Sequence, residues 1–122
     1  MLLSISLSAS ERKSALLIES TDLYLRDQVE INGIKFDRPF DLGGDDPKRL
    51  KTGLPIFFDA FPRQFSNGKI FCFRSGYGQL PLVCRMRWPE ANVIAVDRDL
   101  LATTFTKRNA DRLDLESKKL EI

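Results

Sequence analysis

The chain has 122 residues, 43% hydrophobic and 30% charged, with 19 Lys and Arg against 17 Asp and Glu for a net charge of +2. That is enough apolar side chain for one modest core, and too balanced a charge for the whole molecule to be drawn to nucleic acid, so any such affinity has to come from a local patch. Histidine is absent, which excludes Ser-His-Asp and Cys-His catalysis and leaves carboxylates and cysteines as the common metal-ligand types.

The opening residues, MLLSISLSASERKS, lack the positive start and apolar run of a secretory signal, and no stretch approaches the roughly 20 apolar residues of a membrane span. Cys72 and Cys84 lie in apolar stretches at a spacing that fits no zinc pattern, and a reduced, cytoplasmic setting explains them at least as well as a disulfide. Leu3, Ile5 and Leu7 alternate with serines, and Ser8 with Glu11 makes a capping box, which predicts a short strand or arm leading into a helix over ERKSALLIES. From Leu23 to Phe36 apolar and polar residues interleave around Asn32-Gly33, the signal of a two-residue hairpin turn between strands YLRDQVEI and IKFDR.

RPFDLGGDDPKRL, residues 38 to 50, reads as an irregular surface loop. Asp37, Asp41, Asp45 and Asp46 have no regular ligand spacing, so no metal is expected there. Asp46 can cap a helix with Pro47 at its first position, and Leu50, Leu54, Phe57, Phe58 and Phe61 supply its apolar face. Pro55 would kink that helix or mark a late start, and Pro62 with Ser66-Asn67-Gly68 would end it. Lys69 to Phe73 is a nearly continuous apolar run of the buried parallel type, with the phenylalanines at 57, 58, 61, 65, 71 and 73 read as core.

Gly76-Tyr77-Gly78 breaks that strand. A helix carrying Leu80, Val83, Cys84 and Met86 follows as far as Trp88-Pro89, which reads as a packed helix end. A strand over Val93 to Val96, a helix from about Asp99 to Arg112 and a beginning strand at Lys119 to Ile122 complete the series. Alternating strands and helices imply right-handed crossovers and a parallel sheet.

A strand leading through glycines into a helix N-terminus presents backbone N–H groups and the positive end of a helix dipole, which suits an anionic or polar ligand. An acid about 20 residues on, at the tip of the next strand, can hold both hydroxyls of a ribose. Asp97 stands 97 − 76 = 21 positions after Gly76. The plainer readings are a tight ligand-free connection for the glycines and a helix N-cap for Asp97, a role compatible with ribose binding.

On these residues the stretch from Gly68 to Arg112 resembles the first half of a class I S-adenosylmethionine-dependent methyltransferase, in particular the "methyltransferase small" family that includes ribosomal RNA guanine-N2 methyltransferases. The likeness is carried by Gly76-Tyr77-Gly78, Val96-Asp97, Arg108-Asn109-Ala110 and the Trp88-Pro89-Glu90-Ala91 turn. EINGIKFDRPFDLGGDDPKRLKTGLPIFFDAF is similar to the hairpin, loop and helix that lead into that family's fold, so the resemblance spans about residues 27 to 122. It implies a three-layer α/β, Rossmann-like fold with a parallel sheet and flanking helices, S-adenosylmethionine as cofactor, and RNA as the substrate class. Arg74, Gly76, Tyr77, Gly78, Asp97 and Arg98 form the implied cofactor-binding set, with Asp97 on the ribose and Tyr77 facing the ligand.

Three departures accompany it. Cys72 stands where the family has a strand-end acid, Arg74 replaces the first loop glycine and is expected to crowd the pocket, and no Asn-Pro-Pro-aromatic motif follows in the 122 − 78 = 44 residues after Gly78. The expectation is one partial domain over residues 1 to 122: a leading segment over 1 to 66, then a cofactor-binding βαβαβ half over 67 to 122. No catalytic residue can be nominated.

Two functions stay open. One is the donor-binding half of a methyltransferase acting on RNA; the other is a degenerate, non-catalytic domain that binds protein or RNA through its surface or exposed sheet edge. That edge would need a second copy or another chain to cover it. Arg85, Arg87, Arg98, Lys107, Arg108 and Arg112 would either hold an RNA backbone or belong to solvated helix faces.

Overall fold

A computed structural model of the chain describes residues 9, 12, 20–40, 42, 47–60, 68–115 and 117–122. The expected N-terminal arm with its capping box, the Asp46 cap, Phe61, Phe65 and the turn at Ser66-Asn67 lie outside the described residues.

A 3-10 turn, Asp22–Tyr24, leads into β1 (Leu25–Ile31), which pairs antiparallel with β2 (Ile34–Pro39). Asn32 and Gly33 take φ values of 54° and 78°, the doubly left-handed turn whose twist matches a hairpin and which Asn-Gly tolerates best. Only β2 turns a substantially apolar side inward: Ile34 and Phe36 are buried, whereas much of β1 faces solvent. The strand extends one residue beyond the expected IKFDR, to Pro39.

Helix α1 (Pro47–Asp59) runs unbroken through Pro55 and buries Leu54 and Phe58. Then β3 (Lys69–Phe73), α2 (Gln79–Arg87), β4 (Asn92–Val96), α3 (Leu100–Arg112) and β5 (Leu120–Glu121) form a three-stranded parallel sheet in the order β3-β4-β5. The described chain is therefore α/β, with a small parallel sheet and three helices, an arrangement compatible with part of a Rossmann-like fold.

In a sheet laid down in one direction, right-handed crossovers carry both connecting helices to the same face. Burial follows that rule, since Cys72, Val93 and Ala95 are buried while their neighbours Phe71, Phe73 and Val96 are exposed. Register aligns Phe71 with Ile94 and Phe73 with Val96, so the uncovered face is a continuous apolar strip. Two of the phenylalanines read as core are thus at the surface, Phe73 at 72% exposure, and they stack on each other with centroids 6.3 Å apart. The described elements make two layers where the resemblance implied three, because no described element covers the second face. Among the described residues no helix is long and apolar enough to cross a membrane.

Candidate functional site

The glycine loop and the acid meet as the topology requires. Strands β3 and β4 are parallel neighbours, so their C-terminal tips lie side by side and the turns that leave them share one cleft. There the Gly76 N–H donates to Asp97 Oδ2 at 3.2 Å.

Every N–H of the loop has a partner within the chain. Ser75 N–H donates to the Val96 carbonyl at 3.2 Å and Gly78 N–H to the Ser75 carbonyl at 2.9 Å. Tyr77 N–H donates to Gln79 Oε1 at 3.0 Å. The Gln79 side chain folds back over the turn so closely that a Cβ on Gly76 would lie 2.7 Å from Oε1. Residues 75 to 78 therefore offer no free backbone donor to a ligand, and the amide of Gln79 occupies the approach.

Asp97 has its second oxygen engaged too, since Oδ1 accepts from Asp99 N–H at 2.9 Å. The N-cap of α3 is Asp99, whose carboxylate accepts from Leu101 and Ala102 N–H, so the capping role considered for Asp97 falls to its neighbour. Each oxygen of an ionised carboxylate has two acceptor sites, so Asp97, half-buried at the strand tip, keeps capacity for a hydroxyl donor.

The other sequence-derived site residues divide. Arg74 is exposed, and its backbone has φ 56°, the left-handed turn a glycine adopts without strain. Arg98 is exposed beside Asp97. Tyr77, expected to face the ligand, is fully buried, edge-on to Phe36 at 6.4 Å, so its ring belongs to the core. Gly78, at φ 99°, is demanded by packing, because a Cβ there would lie 2.9 Å from Leu82 Cδ1 and 3.3 Å from Thr106 Cγ2. Trp88 is a packed helix end against Phe58, as expected.

Beneath the cleft Asn109 ties the loop to the hairpin, donating from Nδ2 to the carbonyls of Tyr77 at 2.7 Å and Asp37 at 3.0 Å, while its Oδ1 accepts from Asp37 N–H at 2.8 Å. Next to it the buried Arg108 donates to Asp37 Oδ2 at 2.9 Å, to Thr21 Oγ1 at 2.7 Å and to Asp22 Oδ1 at 2.7 Å. Arg108 is thus an internal tie and not part of a solvated or RNA-facing helix surface. Gln28 Nε2 also donates to Asp37 Oδ1, at 2.7 Å.

Three of the other cations considered for RNA also have partners within the chain. Arg85 donates to the Pro89 carbonyl and to Ser117 Oγ, Arg112 donates to the Lys35 carbonyl, and the Arg87 guanidinium lies 4.8 Å from the Phe58 ring centroid.

An open cavity of about 300 Å³ lies beside β3, at the edge that the described residues leave unpaired, lined by Phe57, Leu80, Cys84 and Trp88 with the strand residues from Lys69 to Cys72. The neighbouring Cys84 thiol holds the Cys72 thiol below its usual range, while the Cys72 thiol first, and burial next, push that of Cys84 up.

No protein-family model matches the chain, and no match to a curated protein is found. Of the groups that shape the cleft, Gln79 and Asn109 escaped sequence reasoning. Asn109 stood in a triplet noted only for its resemblance, and Gln79 carried no signal beyond its place at the start of a helix.

Proposed function

We propose that the chain is a non-catalytic, methyltransferase-like α/β module that associates with a second copy of itself through the edge of β3 that the described residues leave unpaired. The closed glycine loop carries this reading: its four successive N–H groups are spent on the chain's own acceptors, and Gln79 lies where the methionine end of a donor would pass. A cleft so arranged has no free backbone cradle for an anion.

The partner is argued from β3 itself. Lys-Ile-Phe-Cys-Phe contains no proline, and an antiparallel pairing centred on Phe71 would set Phe71 against its counterpart and Lys69 against Phe73, an aromatic pair flanked by two ammonium–ring pairs. RNA is less well supported, because Arg85, Arg108 and Arg112 are engaged internally.

One observation favours the other reading, the donor-binding half of an S-adenosylmethionine-dependent methyltransferase acting on RNA in the cytoplasm: Asp97 lies across the cleft from Gly76, where a ribose-binding acid belongs. Calorimetry separates the two. No heat with S-adenosylmethionine or S-adenosylhomocysteine at millimolar concentration supports the non-catalytic module; heat at micromolar ligand, lost in Asp97→Ala, overturns it. Cys72→Asp with Arg74→Gly should create binding if those two residues disabled the pocket. Sedimentation equilibrium tests the partner: a reversible dimer weakened in Phe71→Asp is expected, and a monomer at every concentration rejects the second copy.

A further inference from the structure

The cavity beside β3 has no part in the glycine cleft, and its position ties it to the second copy. Along β3 successive side chains take opposite faces: Lys69, Phe71 and Phe73 are exposed, while Ile70 is half-buried and Cys72 buried on the helix side. There Ile70 and Cys72 meet Phe57 of α1, Leu80 and Cys84 of α2, and Trp88 just past its end, around a space of about 300 Å³. Lys69 and Phe71 complete the lining, and the space opens at the edge that the described residues leave unpaired. Apart from Lys69 and the two thiols, its walls are aliphatic and aromatic.

We propose that this cavity is a socket for Ile70 of the second copy, filled when the two β3 strands pair. The socket depends on the antiparallel pairing proposed above and identifies the side chain that the pairing buries. One step along the ladder from the Phe71 pair, residue 70 of one copy faces residue 72 of the other. Directly opposed side chains share a face, with Cβ atoms about 4.5–5.5 Å apart. Ile70 of the second copy therefore stands beside Cys72 on the helix side, just beyond the edge, where the cavity opens. Two-fold symmetry makes the contact reciprocal, so each copy supplies one Ile70 and one socket.

The size of the interface calls for such a contact. A strand of five residues covers only about 17 Å of edge, whereas a specific dimer buries roughly 1,200–2,000 Å² around an apolar centre. The Phe71 pair supplies apolar contact on the uncovered face, and the two filled sockets supply it on the helix side.

The experiment is sedimentation equilibrium of the full chain and of Ile70→Ala, Leu80→Phe and Phe71→Asp, with urea unfolding of each at a concentration where it is monomeric. Ile70→Ala removes the plug and Leu80→Phe fills the socket from inside, so each is expected to raise the dimer dissociation constant about tenfold or more. Leu80→Phe should do so while the monomer stays as stable as before or gains stability, which a merely structural role of Leu80 would not produce. Trp88, the one tryptophan of the chain, lines the socket, so its emission in the unsubstituted chain should change in step with the dimer fraction. A dimer weakened by Phe71→Asp but unchanged in Ile70→Ala or in Leu80→Phe, or one that forms with constant Trp88 emission, overturns the socket and leaves the pairing standing. A monomer at every concentration overturns the pairing, and the socket falls with it. Because the emission series needs no substitution, poor folding of a variant leaves the test intact.

Discussion

The Asn109 side chain donates to the carbonyl of Tyr77 at 2.7 Å, joining α3 to the glycine turn across 32 residues of sequence. The same amide group exchanges two hydrogen bonds with the backbone of Asp37, so one buried residue fixes the turn, the helix and the hairpin together. Asn109→Ala would leave two carbonyls and one N–H without partners in the core, at about 1–3 kcal/mol for each group that water cannot reach. Urea unfolding is expected to register a loss on the order of 3 kcal/mol, with Asn109→Asp recovering little because it cannot supply the two donated bonds.

Two glycines in left-handed turns are expected to respond differently to alanine. At Gly33 a Cβ meets nothing within 4 Å, so only the backbone conformation opposes it, at about 1 kcal/mol. At Gly78 the same strain is joined by contacts with Leu82 and Thr106, adding about 1–3 kcal/mol. Thermal unfolding should rank Gly78→Ala clearly below Gly33→Ala. Arg74→Gly should be neutral or stabilising by about 1 kcal/mol, because the Arg74 backbone sits in the left-handed region that glycine adopts without strain.

Much of this frame is legible in the chain. Asn32-Gly33 specifies its own turn, and the helix expected from about Asp99 to Arg112 is found over Leu100–Arg112, capped by Asp99 where sequence offered Asp97. The apolar run at Ile70 to Phe73 identifies a parallel strand, but it carries no information on whether the second face is covered, and Phe71 and Phe73 lie exposed. Asp37 and Arg108 are 71 residues apart, and each reads alone as a surface charge; only the fold pairs them in the core. Tyr77 reads as a ligand contact because it interrupts two glycines, yet its ring turns inward to Phe36. Closure of the cleft depends on one rotamer of Gln79, for which sequence has no signal.

The Asp37–Arg108 pair is buried on both sides, with side chains 3% and 4% exposed. Removing one partner strands the other in the core, so Asp37→Leu or Arg108→Met alone should cost about 3–5 kcal/mol. The double variant should lose distinctly less than the sum, and a double-mutant cycle by urea unfolding measures the coupling.

Acid should loosen the hairpin slightly. Asp27 accepts from Arg38 at 2.7 and 2.6 Å, and this hydrogen bond first, then the guanidinium charge, holds its carboxyl below the usual carboxylate range. A carboxyl whose folded pKa is lowered adds stability above its unfolded value, near 4, and forfeits it as pH falls through the lower folded value. The pair is solvent-exposed, so the loss below about pH 4 should stay under roughly 1 kcal/mol. Asp27→Asn should remove that part of the pH dependence, read as unfolding midpoints between pH 6 and pH 3.

The closed loop is tested most directly by amide NMR of isotope-labelled chain titrated with S-adenosylhomocysteine. The account predicts that the Gly76, Tyr77 and Gly78 resonances stay in place at millimolar ligand, while Gln79→Ala alone moves the Tyr77 amide. Saturable shifts of those three amides in the unsubstituted chain, accompanied by Asp97, would contradict it.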